Sequence, residues 1–285
     1  MGVVTEPVPV AGGDLSIEVV TAGSEPVLAI HGISSQRKLW NWLRAEDPGL
    51  SLIAPDLRGR GDSLDVEGPS SMARHAADMV AALEHQDLTA AHVCGMSMGA
   101  FVAVELAVAR PDLVKSLILV DGGFPMPVPP GLTREALPAM FRDRLARLDR
   151  RFDSVEAYAR FFVATTAPLL DPADPLLLDY LRHDLRDGKV RLDGDALIAD
   201  SADIFFGPPK WQDLSTPAAL LAAEWSRGAD TAPAYSEQAC REFAAALPAG
   251  LLTVHPLDGA DHAASIMTRR GAHATADLIR SALGA

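Results

Sequence analysis

The chain has 285 residues, 48% of them hydrophobic and 22% charged, the composition of a globular protein with a substantial core. Its formal net charge of −13 argues against nucleic acid and anionic membrane surfaces as partners. Two cysteines, Cys94 and Cys240, are too few for a disulfide framework, and no apolar run approaches the ~18–20 residues of a membrane span. The start, Met1 to Pro7, carries neither the basic nor the apolar region of a secretory signal, so a soluble, cytoplasmic protein is expected.

In chain order, a Gly-Gly turn precedes a predicted strand over Leu15 to Val20. Pro26 to Ile30 is a short apolar run, the pattern of a strand buried on both faces of a parallel sheet, and it ends in His31-Gly32-Ile33-Ser34-Ser35. A helical stretch containing Trp40, Trp42 and Leu43 follows. Leu50 to Ala54 predicts the next strand, running into Pro55-Asp56-Leu57-Arg58-Gly59-Arg60-Gly61-Asp62-Ser63. Between Ser71 and Gln86, residues Met72, Ala76, Met79, Val80 and Leu83 fall on one helix face. The apolar run before Gly95-Met96-Ser97-Met98-Gly99 reads as a strand, and Phe101 to Arg110 as a helix that stops at Pro111. Val114 to Val120 predicts another buried strand, ending at Asp121-Gly122-Gly123.

There the alternation breaks. Pro125 to Pro130 holds four prolines, which neither a helix interior nor a central strand accepts. From about Thr133 to Phe206 the pattern is helical only: Leu137, Phe141, Leu145 and Leu148 share one face, and Val155 to Ala167, Pro175 to Leu185 and Asp195 to Phe206 follow as separate helices. Alternation resumes with a strand (Pro217 to Ala223), a helix (Pro233 to Leu247), a strand (Leu251 to His255), a turn at Asp258-Gly259 and a last helix to about Leu283. Strands alternating with helices imply a mainly parallel sheet covered on both faces. Residues 1–124 and 213–285 are expected to form this core, and residues 125–212 an inserted helical cap over the strand ends.

The stretch with the most specific chemistry is Gly95-Met96-Ser97-Met98-Gly99. Gly-x-Ser-x-Gly between a strand and a helix is the context of a nucleophile elbow, in which a strained turn pushes the serine hydroxyl out above the sheet. Gly95 and Gly99 lack Cβ atoms and let strand and helix approach closely. A neutral serine hydroxyl needs a base to act as a nucleophile, and the base needs a carboxylate to hold its tautomer.

With four features in this order, His31-Gly32, the Asp56-to-Ser63 loop, the Ser97 elbow and Gly259-Ala260-Asp261-His262, the chain resembles the α/β-hydrolase superfamily over nearly its whole length, as a capped, serine-esterase- or lipase-like member. The resemblance implies an α/β-hydrolase fold and a chain order of serine, acid, histidine, which makes His262 the base. It implies a structural role for His31 in shaping the oxyanion loop, and it assigns the oxyanion hole to the backbone N–H groups of Ile33 and Met98. The acid is less determined. The position beyond the strand Pro217 to Ala223 where relatives usually carry Asp holds Ser226, leaving Glu224 and Asp230 nearby. A second arrangement in the superfamily places the acid at the end of the strand after the elbow, where Asp121 stands, and Asp121 is the preferred candidate. No cofactor and no metal are implied.

Other patterns have plainer readings. Arg60-Gly61-Asp62 matches an adhesion tripeptide but lies in a turn after a strand. His255, Asp258, Asp261 and His262 lack metal-ligand spacing. Arg142, Arg144, Arg147, Arg150 and Arg151 read as the solvated face of a cap helix. Phe161, Phe162, Phe205, Phe206 and Trp211 are available to line an apolar pocket above Ser97, which favours a small or medium hydrophobic ester or lactone. The same machinery also serves C–C bond hydrolysis, perhydrolysis and lyase chemistry, and the fold occurs as a small-molecule receptor; a substrate panel separates these.

Overall fold

A computed structural model describes residues 2–284. Among the described residues, ten strands and ten α-helices follow one another. The strands are β1 (Gly2–Val10), β2 (Gly13–Thr21), β3 (Pro26–Ile30), β4 (Ser51–Pro55), β5 (Ala91–Met96), β6 (Val114–Val120), β7 (Leu185–Arg186), β8 (Lys189–Val190), β9 (Ala218–Trp225) and β10 (Leu252–Asp261). The helices are α1 (Asn41–Glu46), α2 (Met72–His85), α3 (Met98–Ala109), α4 (Leu137–Met140), α5 (Arg142–Ala146), α6 (Val155–Thr165), α7 (Pro175–Asp184), α8 (Gly194–Phe206), α9 (Glu237–Ala246) and α10 (Arg269–Leu283).

Eight strands form one sheet in the order β1-β2-β4-β3-β5-β6-β9-β10. β1 and β2 pair antiparallel, β2 meets β4 antiparallel, and every other neighbour pair is parallel. This is the α/β-hydrolase fold. Parallel strands joined by helical crossovers must be covered on both faces, and every residue of β4 and β5 is buried. One core layer gathers around Trp40, Trp42, Ile118, Val120 and Ile279, the other around Leu28, Val93, Leu106 and Leu119. Each such side chain contributes about 1.5–3 kcal/mol by leaving water. α3 is apolar nearly all round and packs directly behind β5 and β6, so the helix that follows Ser97 is fixed in the core.

The sequence reading missed two elements. β1 pairs with β2 along its whole length, from Gly2↔Thr21 to Val10↔Gly13, through the turn at Ala11-Gly12. Within the segment between β6 and β9, expected to be purely helical, β7 and β8 form a short hairpin, with Leu185 opposite Val190. The last strand is longer than expected: β10 continues past His255 to Asp261, with a bulge between Leu257 and Asp261. Asp258-Gly259 therefore lies inside a bulged strand.

The segment between β6 and β9 is anchored on the loops at the carboxyl ends of the strands. Gln36 Nε2 donates to Tyr180 O at 2.8 Å, Tyr180 Oη to Ser35 Oγ at 3.1 Å, and Arg147 Nη2 to Ser34 O at 2.9 Å. Deeper in the seam, Arg37 bridges Asp56 and Asp62, and Arg191 pairs with Asp62. Burial alone would raise the Asp56 and Asp62 carboxyls. Hydrogen bonds from His183 to Asp56 and from both arginines to Asp62 outweigh it, holding Asp56 below its usual range and Asp62 at about 2. No helix among the described residues is long and apolar enough to cross a membrane.

Candidate active site

Ser97 stands at the end of β5, the central strand, with φ 55° and ψ −120°. That conformation is strained for a residue with a side chain. It persists because the surroundings leave no alternative: a Cβ on Gly99 would sit 2.0 Å from Ile30 O, and one on Gly95 would sit 2.3 Å from Gly99 O. Strand, serine and helix can close so tight a corner only with glycine at both places.

His262 follows the β10 bulge. Its Nε2 lies 2.9 Å from Ser97 Oγ and its Nδ1 lies 2.6 Å from Asp121 Oδ2. Asp121 is 1% exposed, at the end of β6, itself at φ 45°. A carboxylate only accepts, so Nδ1 carries the proton and Nε2 is left to accept from the serine hydroxyl. The other oxygen, Asp121 Oδ1, accepts the N–H of Ala223 at 3.2 Å, which holds the carboxylate against β9. The three residues come from β5, β6 and β10, all at carboxyl ends of strands, where ligands sit in open α/β sheets.

The other two acid candidates are elsewhere. Glu224 Oε2 accepts the N–H of Gly259 at 2.6 Å and so braces the β10 bulge. Asp230 is exposed in the loop after β9. Ser226, at the position where an acid was sought, lines the cavity above Ser97.

Ile33 follows β3 and lines that cavity; Met98 opens α3 with its side chain fully buried. Neither backbone N–H has a hydrogen-bond partner among the described residues, so both are available as donors. The Ile33 carbonyl is pinned from behind by Arg60 Nε at 3.1 Å. His31 shapes the same loop. Its Nδ1 donates to Gly32 O at 2.8 Å and its Nε2 accepts the N–H of Leu57 at 2.9 Å. Only the neutral ring can do both, and burial pushes its pKa down to about 4.

The cavity above Ser97 measures about 110 Å³ and is walled by Ile33, Leu39, Met96, Phe162 and Met267 on its apolar side. Of the five aromatic residues expected there, only Phe162 takes part. Phe205 and Trp211 line a separate cleft of about 470 Å³ beside α3 and α8, and Phe161 packs on Phe152. The arginine run also departs from expectation. The chain breaks at Phe141 between α4 and α5 and turns again after Ala146, so no continuous solvated helix face exists. Arg147 is 1% exposed and Arg144 lines the Ser97 cavity. Asp56, Asp62 and His183 are spaced closely enough to hold a cation. Arg37 and Arg191 already neutralise that acidic pair.

The sequence matches the Alpha/beta hydrolase family over residues 27–278. The chain belongs to this family. It is 36% identical over 100 residues to lipase LipV of Mycobacterium tuberculosis, a match covering 35% of this chain and 38% of that relative. It is 28% identical over 217 residues to the putative non-heme bromoperoxidase BpoC of the same species, covering 74% of this chain and 70% of the other. Among solved structures, that of E-2-(acetamidomethylene)succinate hydrolase superposes with a TM-score of 0.76 at 22% identity, over 100% of both chains. At that identity the likeness is one of fold.

Proposed function

We propose that this α/β-hydrolase family member is a serine hydrolase cleaving a small carboxylic ester or lactone with an apolar body, through an acyl intermediate on Ser97. The observation that carries the reading is the continuous relay from Ser97 Oγ to His262 Nε2 at 2.9 Å and from His262 Nδ1 to Asp121 Oδ2 at 2.6 Å. Ser97 Oγ attacks the substrate carbonyl while His262 takes its proton; Asp121 stabilises the imidazolium that forms. The N–H groups of Ile33 and Met98 receive the oxyanion, each worth roughly 3–4 kcal/mol when well aimed. His262 then returns the proton to the leaving alcohol and activates a water for deacylation. In this reading residues 125–212 act as the cap, since α5, α6 and α7 supply Arg144, Phe162 and Tyr180 to the cavity wall.

A panel of p-nitrophenyl esters of increasing acyl length, together with lactones, tests the assignment. Short acyl chains should release p-nitrophenol with a burst equal to the enzyme concentration where deacylation is slower than acylation. Turnover should be lost in Ser97→Ala. Equal turnover in Ser97→Ala and wild type would overturn the assignment.

A further inference from the structure

Two arginines from separate parts of the chain meet in the Ser97 cavity. Arg144 comes from α5 and Arg227 from the loop after β9, and both line the same 110 Å³ space as Ser97 and His262. Arg144 Nε is buried and has no hydrogen-bond partner among the described residues. No carboxylate among those residues pairs with either guanidinium. The Phe141 ring, 5.4 Å from the Arg144 guanidinium carbon, covers a face of the group and satisfies none of its donors. Buried donors are ordinarily paired, and two cations brought together without an anion repel each other. Burial and the neighbouring Arg147 and Arg227, opposed in part by Asp143, push the Arg144 pKa down to about 10, which leaves it charged at neutral pH.

Arg147 is a useful contrast. It is more deeply buried and leaves its own Nε and Nη1 without partners, but its Nη2 donates to Ser34 O and the Asp184 carboxylate lies in its field. Arg144 has the Asp143 carboxylate, its chain neighbour, in its field but makes no ion pair with it, and its place is the wall of a small cavity beside the nucleophile. A planar guanidinium fork matches a carboxylate with two parallel hydrogen bonds. The apolar wall of Ile33, Met96, Phe162 and Met267 suits a short carbon chain between that anion and the reacting carbonyl.

We propose that the Ser97 cavity selects small esters or lactones that carry a carboxylate, clamped by Arg144 and Arg227 while the acyl carbon sits over Ser97. This deepens the serine-hydrolase reading and rests on it. The products are a dicarboxylate, or a hydroxy-dicarboxylate from a lactone, and an alcohol where the ester is open-chain.

The test compares mono-p-nitrophenyl glutarate with p-nitrophenyl valerate, a neutral ester of similar length. Wild type should favour the charged ester by roughly tenfold or more in kcat/KM, and Arg144→Met and Arg227→Gln should each reduce that charged-to-neutral ratio by roughly tenfold or more. Arg144→Lys should recover part of it. Arg227 is exposed, so its variant serves if Arg144→Met does not fold. A wild-type ratio near one, or a ratio unchanged in either folded variant, overturns the carboxylate clamp while leaving the hydrolase reading intact. If neither ester is turned over, the hydrolase reading fails, and calorimetry with glutarate still decides the clamp. Glutarate binding at least tenfold weaker in Arg227→Gln than in wild type supports the clamp, and equal or absent binding in both overturns it.

Discussion

His262 Nδ1 lies 2.6 Å from Asp121 Oδ2, although 141 residues separate the two in the chain. The contact exists because β6 and β10 flank β9 in the sheet and both end at the same edge. Asp121→Asn keeps the shape but replaces an acceptor with a donor, so the imidazole loses its preferred tautomer. Ester kcat should fall on the order of 10⁴-fold, as for a triad carboxylate. Glu224→Gln keeps an oxygen for the Gly259 N–H and should change kcat by less than roughly tenfold. A larger loss in Glu224→Gln than in Asp121→Asn would reverse the assignment.

The elbow predicts a stability cost unrelated to chemistry. Gly99→Ala places a Cβ 2.0 Å from Ile30 O, a backbone atom that cannot rotate away. Overpacking of this kind costs about 1–3 kcal/mol, and the midpoint of urea unfolding should fall accordingly. An unchanged midpoint would mean that β3 and α3 are not in this contact.

His31 makes stability depend on pH. Its folded pKa of about 4 lies below its ordinary 6.5, so the unfolded chain binds the proton more readily. Stability should fall as pH drops from about 6.5 to 4, by about 3 kcal/mol from this group at most, and level off below that. His31→Gln should flatten that part of the profile in chemical-denaturation curves. The same slope in His31→Gln would assign it to other groups.

Asp56 is fully buried and its charge is matched by Arg37. Arg37→Met strands that carboxylate and should cost about 3–5 kcal/mol. Arg37→Met/Asp56→Asn should recover part of the loss, since it removes both charges. A double variant no more stable than the additive sum would show that the two do not act as a pair.

Much of this site was legible because its signals are local. Gly95-Met96-Ser97-Met98-Gly99 encodes a corner that only glycine permits, while Asp121 is preferred over Glu224 and Asp230 through the superfamily resemblance, at the end of the apolar run Val114 to Val120. The misses have physical causes. β1 alternates weakly, with Pro7 and Pro9 within it, and depends on the register of β2. The β7–β8 hairpin did carry a signal: Asp187-Gly188, both at positive φ, is a tight-turn pair, hidden inside a helical pattern. The arginine run departs from expectation because a helical projection assumes a continuous helix, and this one ends at Ala146, between Arg144 and Arg147. No local pattern shows that Arg144 and Arg227 meet, since only the folded chain brings them to one cavity.

The central claim is that Ser97 is a nucleophile activated through His262. Intact-mass spectrometry after incubation with a fluorophosphonate probe tests it most directly, comparing wild type with Ser97→Ala, His262→Ala, Asp121→Asn and Glu224→Gln. The account predicts one adduct on wild type, none on Ser97→Ala, and labelling slowed sharply in His262→Ala and Asp121→Asn but not in Glu224→Gln. Folded wild-type protein that takes no label, under conditions where an unrelated serine esterase is fully modified, would contradict it.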